Sequence, residues 1–264
     1  MNAELAWQAE ETGLNAFPGL RHVLLRGWLL RLSGGWPRRT NNSATPLRAD
    51  CADIASVIDA VAAVYHGNGL PVLVRLPSLA RPGGEAALAG RGYASEGDSC
   101  VIYGAIGDLA AAPDPAVELS PCPTPEWLAA MAALQGYDRG RLASYRRVLR
   151  AVALPAAFAG LRADGRLVSL AYAAVHDRLL CYESVVTAAD CRNRGFARRA
   201  IGALACWGAS RGAAGACLQV EAANAAARHL YRRFGLATDL YRYCYWREPA
   251  PSIAALPAGA ANPG

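Results

Sequence analysis

The sequence predicts an α/β protein, of the α+β mixed-sheet kind, whose helices flank a β-sheet divided between two lobes. Strand-like apolar runs alternate with helical patterns of 3.6-residue period along most of the chain. A break from Leu109 to Pro125, holding five prolines, divides these elements into two series. In the second series a basic loop, Arg192-Asn193-Arg194-Gly195-Phe196-Ala197-Arg198-Arg199, stands between a strand pattern and an amphipathic helix.

Taken in order, residues 4–16 read as a short helix ended at Phe17-Pro18-Gly19. Val23–Leu32 and Trp36–Leu47 read as strands, with Ser33-Gly34-Gly35 as the hairpin turn. Ile54, Val57, Ile58, Val61 and Val64 put one apolar face on a helix over Ala52–Tyr65. Pro71–Leu76 is a strand, Gly84–Ala89 a short helix stopped by glycines, and Tyr93–Tyr103 a strand or hairpin. The linker is placed near Ala110–Pro115, giving lobes at 1–112 and 116–248 and a disordered Ala/Pro/Gly tail at 249–264. After the linker come a strand at Val117–Leu119 and two helices, Pro125–Leu134 and Arg139–Val152. Thr124 is the N-cap of the first, with Pro125 at its first position. Phe158–Arg162, Leu167–Val175 and Leu179–Thr187 form a meander turned at Asp164-Gly165 and His176-Asp177-Arg178. The basic loop and its helix, ended by Gly212, precede a strand at Ala216–Glu221 and a helix at Asn224–Phe234. Strands at Leu236–Asp239 and Tyr241–Arg247 close the series. The two series echo each other: Leu88-Ala89-Gly90-Arg91-Gly92-Tyr93 resembles Tyr231-Arg232-Arg233-Phe234-Gly235-Leu236, each helix, glycine turn, then aromatic strand.

A hydrophobic fraction of 53% in 264 residues supplies a core, and 18% charged residues is too low for general disorder. The net charge is +6, and every basic residue is an arginine. These arginines are scattered, without a basic tail or an aromatic-interleaved stripe, which argues against a nucleic-acid partner. The eight cysteines form no C-x-x-C pair and no metal-ligand spacing, so no metal is expected. No uncharged run is long enough to span a membrane, and the acidic start does not read as a signal peptide, so a cytoplasmic protein with reduced thiols is expected. Oligomeric state is left open.

A helix N-terminus exposes unpaired N–H groups and the positive end of the helix dipole, and Gly195 lets the backbone approach a bulky anion. With four arginines in eight residues, the loop reads as a phosphate or pyrophosphate cradle.

The second series resembles the GNAT superfamily of acyl-CoA N-acyltransferases, whose Q/R-x-x-G-x-G/A loop lies between the fourth strand and third helix. Here it reads Arg192-x-x-Gly195-x-Ala197, followed downstream by Asn224 and Tyr231 in Asn-Ala-Ala-Ala-Arg-His-Leu-Tyr-Arg-Arg-Phe-Gly. The resemblance covers roughly 117–247. The first half, with Gly27-Trp28-Leu29-Leu30-Arg31 and Arg38-Arg39-Thr40-Asn41-Asn42-Ser43, resembles the N-terminal part of bacterial tandem members, without the anion loop. One departure is Ala188-Ala189, where the family often has proline.

The resemblance implies two GNAT-like lobes, with acetyl-CoA held between splayed strands Leu179–Thr187 and Ala216–Glu221 of the second. Backbone atoms of Val185, Val186 and Thr187 would pair with the pantetheine, and an N–H there would polarise the thioester carbonyl. The amides of Asn193, Arg194, Gly195, Phe196, Ala197 and Arg198 would take the pyrophosphate. The implied reaction is direct acetyl transfer to an amine of an unidentified acceptor, a small molecule or peptide. Tyr231 would be the general acid. Glu183 would be the base, on the parity it shares with Val185 and Thr187. Asn224 either bonds the cofactor or caps its helix. Trp127, Tyr137 and Tyr145 either line an acceptor cleft or pack the core; Arg38, Arg39, Asn41 and Asn42 either bind an acceptor or, the preferred reading, belong to a hydrogen-bonded structural strand. Cys191, beside Arg192, reads as a plain loop thiol rather than a nucleophile. The alternatives are a non-catalytic acyl-CoA sensor or interaction module and, less favoured, a nucleic-acid-binding protein.

Overall fold

The computed structural model describes residues 3–34, 39–109 and 114–250. The first series runs α1 (Ala3–Ala16), β1 (Arg21–Leu25), β2 (Trp28–Leu32), β3 (Ala44–Pro46), α2 (Ile54–His66), β4 (Leu73–Pro77), α3 (Gly84–Gly90), β5 (Ala94–Ala105) and α4 (Ile106–Leu109). The second runs β6 (Val117–Ser120), α5 (Pro125–Gln135), α6 (Arg139–Arg150), β7 (Ala156–Ala163), β8 (Arg166–His176), β9 (Leu179–Thr187), α7 (Phe196–Ser210), β10 (Gly215–Glu221), α8 (Ala225–Phe234) and β11 (Thr238–Arg247).

Local chemistry accounts for most boundaries. Asp53, Thr124 and Asp138 cap α2, α5 and α6 through their side chains, each accepting from an N–H of the first turn. Asp164-Gly165 and Asp177-Arg178 adopt positive φ throughout, the left-handed turn that matches strand twist, and so close the β7–β8–β9 meander.

Three sequence expectations are corrected. The first hairpin turns at Arg26-Gly27 (φ 47° and 88°), where Leu25 faces Trp28, and not at Ser33-Gly34-Gly35. The strand expected over Trp36–Leu47 shrinks to β3, preceded by a 3-10 turn at Arg39–Asn41, with residues 35–38 outside the described ones. Leu236–Asp239 and Tyr241–Arg247 are not separate strands. β11 is continuous from Thr238, with register shifts at Asp239/Tyr241 and Tyr243/Tyr245 that bend it without breaking it. Most of the expected linker (110–113) and most of the expected tail (251–264) lie outside the described residues.

All eleven strands join one mixed sheet, ordered β1-β2-β3-β4-β11-β5-β10-β9-β8-β7-β6. The halves exchange strands. β5 of the first half is inserted beside β10 of the second, while β11 crosses back to pair with β4. Helices cover both faces. One apolar cluster joins Leu180, Tyr182, Ile201, Leu204 and Leu218, and another joins Trp28, Ile54, Val57, Ile58 and Val74. Where α1 crosses the exchanged strands, the buried carboxylate of Glu10 accepts from Arg75 and from the Tyr241 hydroxyl, so it touches strands contributed by both halves. Each partner satisfies a group that burial would otherwise leave costly.

Candidate functional site

β9 and β10 pair in parallel only through Leu179/Gly215, Leu180/Ala216 and Cys181/Cys217. Beyond that point they part, and β9 passes from buried residues (179–182) to half-buried ones (183–187). The parting leaves strand edges open to an extended ligand. Here β9 also carries a bulge: Glu183 faces Tyr172 and Val186 faces Leu170, so Ser184 and Val185 together oppose Ala171. Ser184 takes φ 55°, and its hydroxyl accepts from Tyr145, whose oxygen lies 2.8 Å away. Tyr145 is therefore a core residue that also anchors the bulge.

The bulge corrects the parity expected for Glu183. Two residues against one breaks the alternation, so Glu183 and Val185 leave the sheet on opposite faces. Val185 packs toward the α7 core and Val186 toward the Phe17–Tyr172 cluster. The Thr187 hydroxyl lies 3.0 Å from Ser169 Oγ. Glu183 instead lines a cavity of about 380 Å³ at the mouth of the parted strands.

The basic loop enters α7 through alternating conformations, with Asn193 at φ 59° and Gly195 at φ 79°. Such alternation turns successive N–H groups inward around an anion. Gly195 is the α7 N-cap and has no side-chain cap; a Cβ there would meet open space. The first bond of the helix runs from Arg199 N–H to the Gly195 carbonyl, so the N–H groups of Phe196, Ala197 and Arg198 lie ahead of the helical ladder. Arg192, Arg194 and Arg198 are exposed, and none has a carboxylate partner among the described residues. Arg194 lies 5.0 Å from the Phe196 ring centroid. Arg199 is not part of the cradle's loose charge, because Asp114 holds it at 2.6 and 2.9 Å. Cys191 is buried, with Arg166 Nη2 3.7 Å from its sulfur, which fits the plain-thiol reading.

Tyr231, on α8, is buried, and its hydroxyl has no hydrogen-bond partner among the described residues. Its pKa is pushed up to about 12, first by burial and then by the negative charge of Glu183, so the two groups share one neighbourhood. Asn224 caps α8, its Oδ1 accepting from Ala227 N–H at 3.0 Å. Trp127 is core, donating from Nε1 to the Ala159 carbonyl, and Tyr137 packs edge-on against Tyr145.

Sequence reasoning missed most of the cavity wall. Besides Glu183 it is formed by Gln219, Val220 and Glu221 of β10, Tyr243 and Tyr245 of β11, Ser99 of β5, and Phe17, Arg39 and Thr40 of the first half. Only the strand exchange brings these together, and no local signal announces it. The arrangement sets unladdered N–H groups at the α7 N-terminus, an open strand edge with a carboxylate at its mouth, and a buried tyrosine near enough to feel that carboxylate's charge. Among the described residues no group of three or more His, Cys, Asp or Glu side chains is placed to hold a metal, and no helix is long and apolar enough to cross a membrane.

Comparison with known proteins adds a family and a fold. The family described as "Probable histone acetyltransferase Rv0428c C-terminal" matches residues 7–246, and so spans both halves. No curated protein matches the chain. Among solved structures, a GCN5-related N-acetyltransferase from Kribbella flavida superposes with a TM-score of 0.69 at 17% identity, covering 96% of this chain and 98% of that one. A protein described as "Putative Acetyltransferase from the GNAT family", from Novosphingobium aromaticivorans, gives 0.57 at 20% identity, covering 90% and 97%. A tandem GNAT protein from the clavulanic acid biosynthesis pathway gives 0.60 at 11% identity, covering 85% and 74%. At these identities the likeness is one of fold.

Proposed function

We propose a function from one premise: the chain belongs to the Rv0428c C-terminal acetyltransferase family, and so to the GNAT superfamily. It is an acetyltransferase that moves the acetyl group of acetyl-CoA directly onto an amine. The observation that carries this reading is the parting of β9 and β10 beyond Cys181/Cys217, with Glu183 at its mouth and the α7 cradle beside it.

In this reading the backbone of Val185, Val186 and Thr187 receives the pantetheine arm as an added strand. The N–H groups from Asn193 to Arg198 hold the pyrophosphate, with Arg192, Arg194 and Arg198 supplying charge. The amine nitrogen attacks the thioester carbonyl carbon; the C–N bond forms and the C–S bond breaks. Glu183 takes the amine proton, directly or through water. Tyr231 gives its proton to the departing sulfur. A phenol of pKa about 12 stays protonated throughout the neutral range. Glu183 is one of the two causes holding that pKa up. Once it has gained the amine proton, its charge is gone and Tyr231 becomes the stronger acid. The two proton transfers therefore assist each other. Asn224 acts as a helix cap, holding α8 and with it Tyr231. The lobes divide near 112–116, and the first lobe serves the site through the strands and side chains it sends across.

Calorimetric titration with acetyl-CoA, followed by free-CoA release with an amine panel, tests this. Saturable binding and amine-dependent release support it. Binding without release for any amine would move the reading to an acyl-CoA sensor, and no binding would remove both.

A further inference from the structure

The 380 Å³ cavity has a size suited to a small molecule, and its wall carries two carboxylates, Glu183 and Glu221, against one guanidinium, Arg39. Arg39 reaches it from the first half of the chain. Its Nη2 lies 3.2 Å from Glu221 Oε1, and its Cζ lies 5.1 Å from the Tyr245 ring centroid. The guanidinium also rests against Gly97, where any Cβ would collide with it. A carboxylate, an aromatic face and a glycine thus enclose a cation. The ion pair is exposed, the side chains retaining 33% and 64% of their accessible surface, so it holds weakly.

We propose that Arg39 is a tethered stand-in for part of the acceptor, and that the acceptor is a small aliphatic amine bearing a second positive charge. This rests on the acetyltransferase reading above. The reacting nitrogen lies by Glu183, and the distal ammonium displaces Arg39 between Glu221 and Tyr245. The opposite assignment, Arg39 as receptor for an acceptor carboxylate, would need that carboxylate to compete with Glu221 and to enter a wall whose charge is already negative. A protein lysine on an extended peptide would leave the Gly97–Tyr245 subsite unused.

Three acceptors of one chain length and different far ends separate these cases: 1,4-diaminobutane, 1-aminobutane and 4-aminobutanoate. The diamine is expected to have the highest kcat/KM, by about tenfold over the monoamine, the scale of a charge-assisted contact. The amino acid should have the lowest. Arg39→Ala should lower the KM for the diamine by about threefold, the scale of an exposed ion pair removed from competition. Glu221→Gln should raise it, and more for the diamine than for the monoamine. Arg39→Gln serves as a second variant of similar bulk. Calorimetry of 1,4-diaminobutane binding to the CoA-loaded protein reads the same subsite without turnover. Tighter binding in Arg39→Ala with no acetyl transfer would keep the diamine subsite that Arg39 fills and remove the acetyltransferase reading, and with it the diamine's role as acceptor. Preference for 4-aminobutanoate or for a lysine-containing peptide, weaker diamine binding in Arg39→Ala, or no diamine binding to either protein would overturn the inference.

Discussion

The β3–α2–β4–α3–β5 segment and the β9–α7–β10–α8–β11 segment share one plan, a parallel strand pair linked by a helix, then a helix and a strand that joins the other half. The turns after the second helix match in detail. Tyr93 N–H donates to the Leu88 carbonyl and Leu236 N–H to the Tyr231 carbonyl, with Gly92 and Gly235 at positive φ in each turn. The differences lie at the places a ligand would use. The α2 N-terminus is closed by Asp53, whose carboxylate accepts from Ala55 N–H, whereas the α7 N-terminus is left open by Gly195. Beside Asp53 the Trp28 indole donates to the Ala52 carbonyl at 2.8 Å, and about 10 Å³ remains, room for one water at most. Leu88, fully buried, stands where the second copy has Tyr231. A helix end that gives an N–H to its own carboxylate, and carries that negative charge, offers a phosphate less than one capped by glycine.

If the copies differ in chemistry because Leu88 replaces Tyr231, then Tyr231→Phe should bring the second copy toward the first. The ring keeps its packing and the proton is lost. Steady-state kinetics on a confirmed acceptor should show kcat falling by about 10²–10⁴-fold, the usual contribution of general acid catalysis. Acetyl-CoA affinity should hold. A wild-type rate in the mutant would make Tyr231 a packing residue like Leu88. The pH profile sharpens the same point. Since the folded pKa is pushed up to about 12, Tyr231 should contribute no falling limb to the rate below about pH 11. A basic limb at lower pH that disappears in Tyr231→Phe would contradict the buried placement.

Gly195→Asp gives α7 the residue type that closes α2. It also puts a Cβ and a negative charge into the open space of the cradle, at a φ of 79° that strains an L residue by about 1–2 kcal/mol. Acetyl-CoA affinity should fall by about tenfold or more, the loss expected when charge-assisted bonds to a helix N-terminus are blocked. Circular dichroism should show the fold retained. The reverse experiment, Asp53→Ala, removes a cap and should cost about 1 kcal/mol in denaturant unfolding while leaving acetyl-CoA binding as it was.

The smallest effect concerns Asp114, which ties Arg199 to the start of β6. Its pKa is lowered from 3.8 to about 2, chiefly by the Arg199 hydrogen bonds. A lowered folded-state pKa means this contribution is full above the unfolded value and lost as pH falls through about 4 toward 2. In Asp114→Asn that part of the pH dependence of urea unfolding should flatten, and acetyl-CoA affinity should change by less than about twofold.

Much of this contrast could be read from residues alone. The order of strand, basic loop, amphipathic helix, Asn224 and Tyr231 is local, and the structure builds those elements in that order. The Thr124-Pro125 cap and the Asp164-Gly165 turn were legible for the same reason. Ser33-Gly34-Gly35 offered a stronger turn signal than Arg26-Gly27, because arginine at positive φ is not a pattern sequence reasoning expects. The β9 bulge was hidden likewise, since Ser184 takes its left-handed conformation within the register set by β8 and under a hydrogen bond from Tyr145, far away in sequence. The exchange of β5 and β11 depends on non-local pairing, so the cavity wall contributed by Phe17, Ser99 and Tyr245 had no local trace, while Arg39 was legible only as one of two readings.

Of two similar helix N-termini, the one without a side-chain cap is expected to bind the acetyl donor. Calorimetric titration of acetyl-CoA into the wild type, Gly195→Asp and Asp53→Ala tests it most directly. The expected result is one site per chain, weakened by about tenfold or more in Gly195→Asp and unchanged in Asp53→Ala. Two sites per chain, or an affinity indifferent to Gly195→Asp and sensitive to Asp53→Ala, would contradict it.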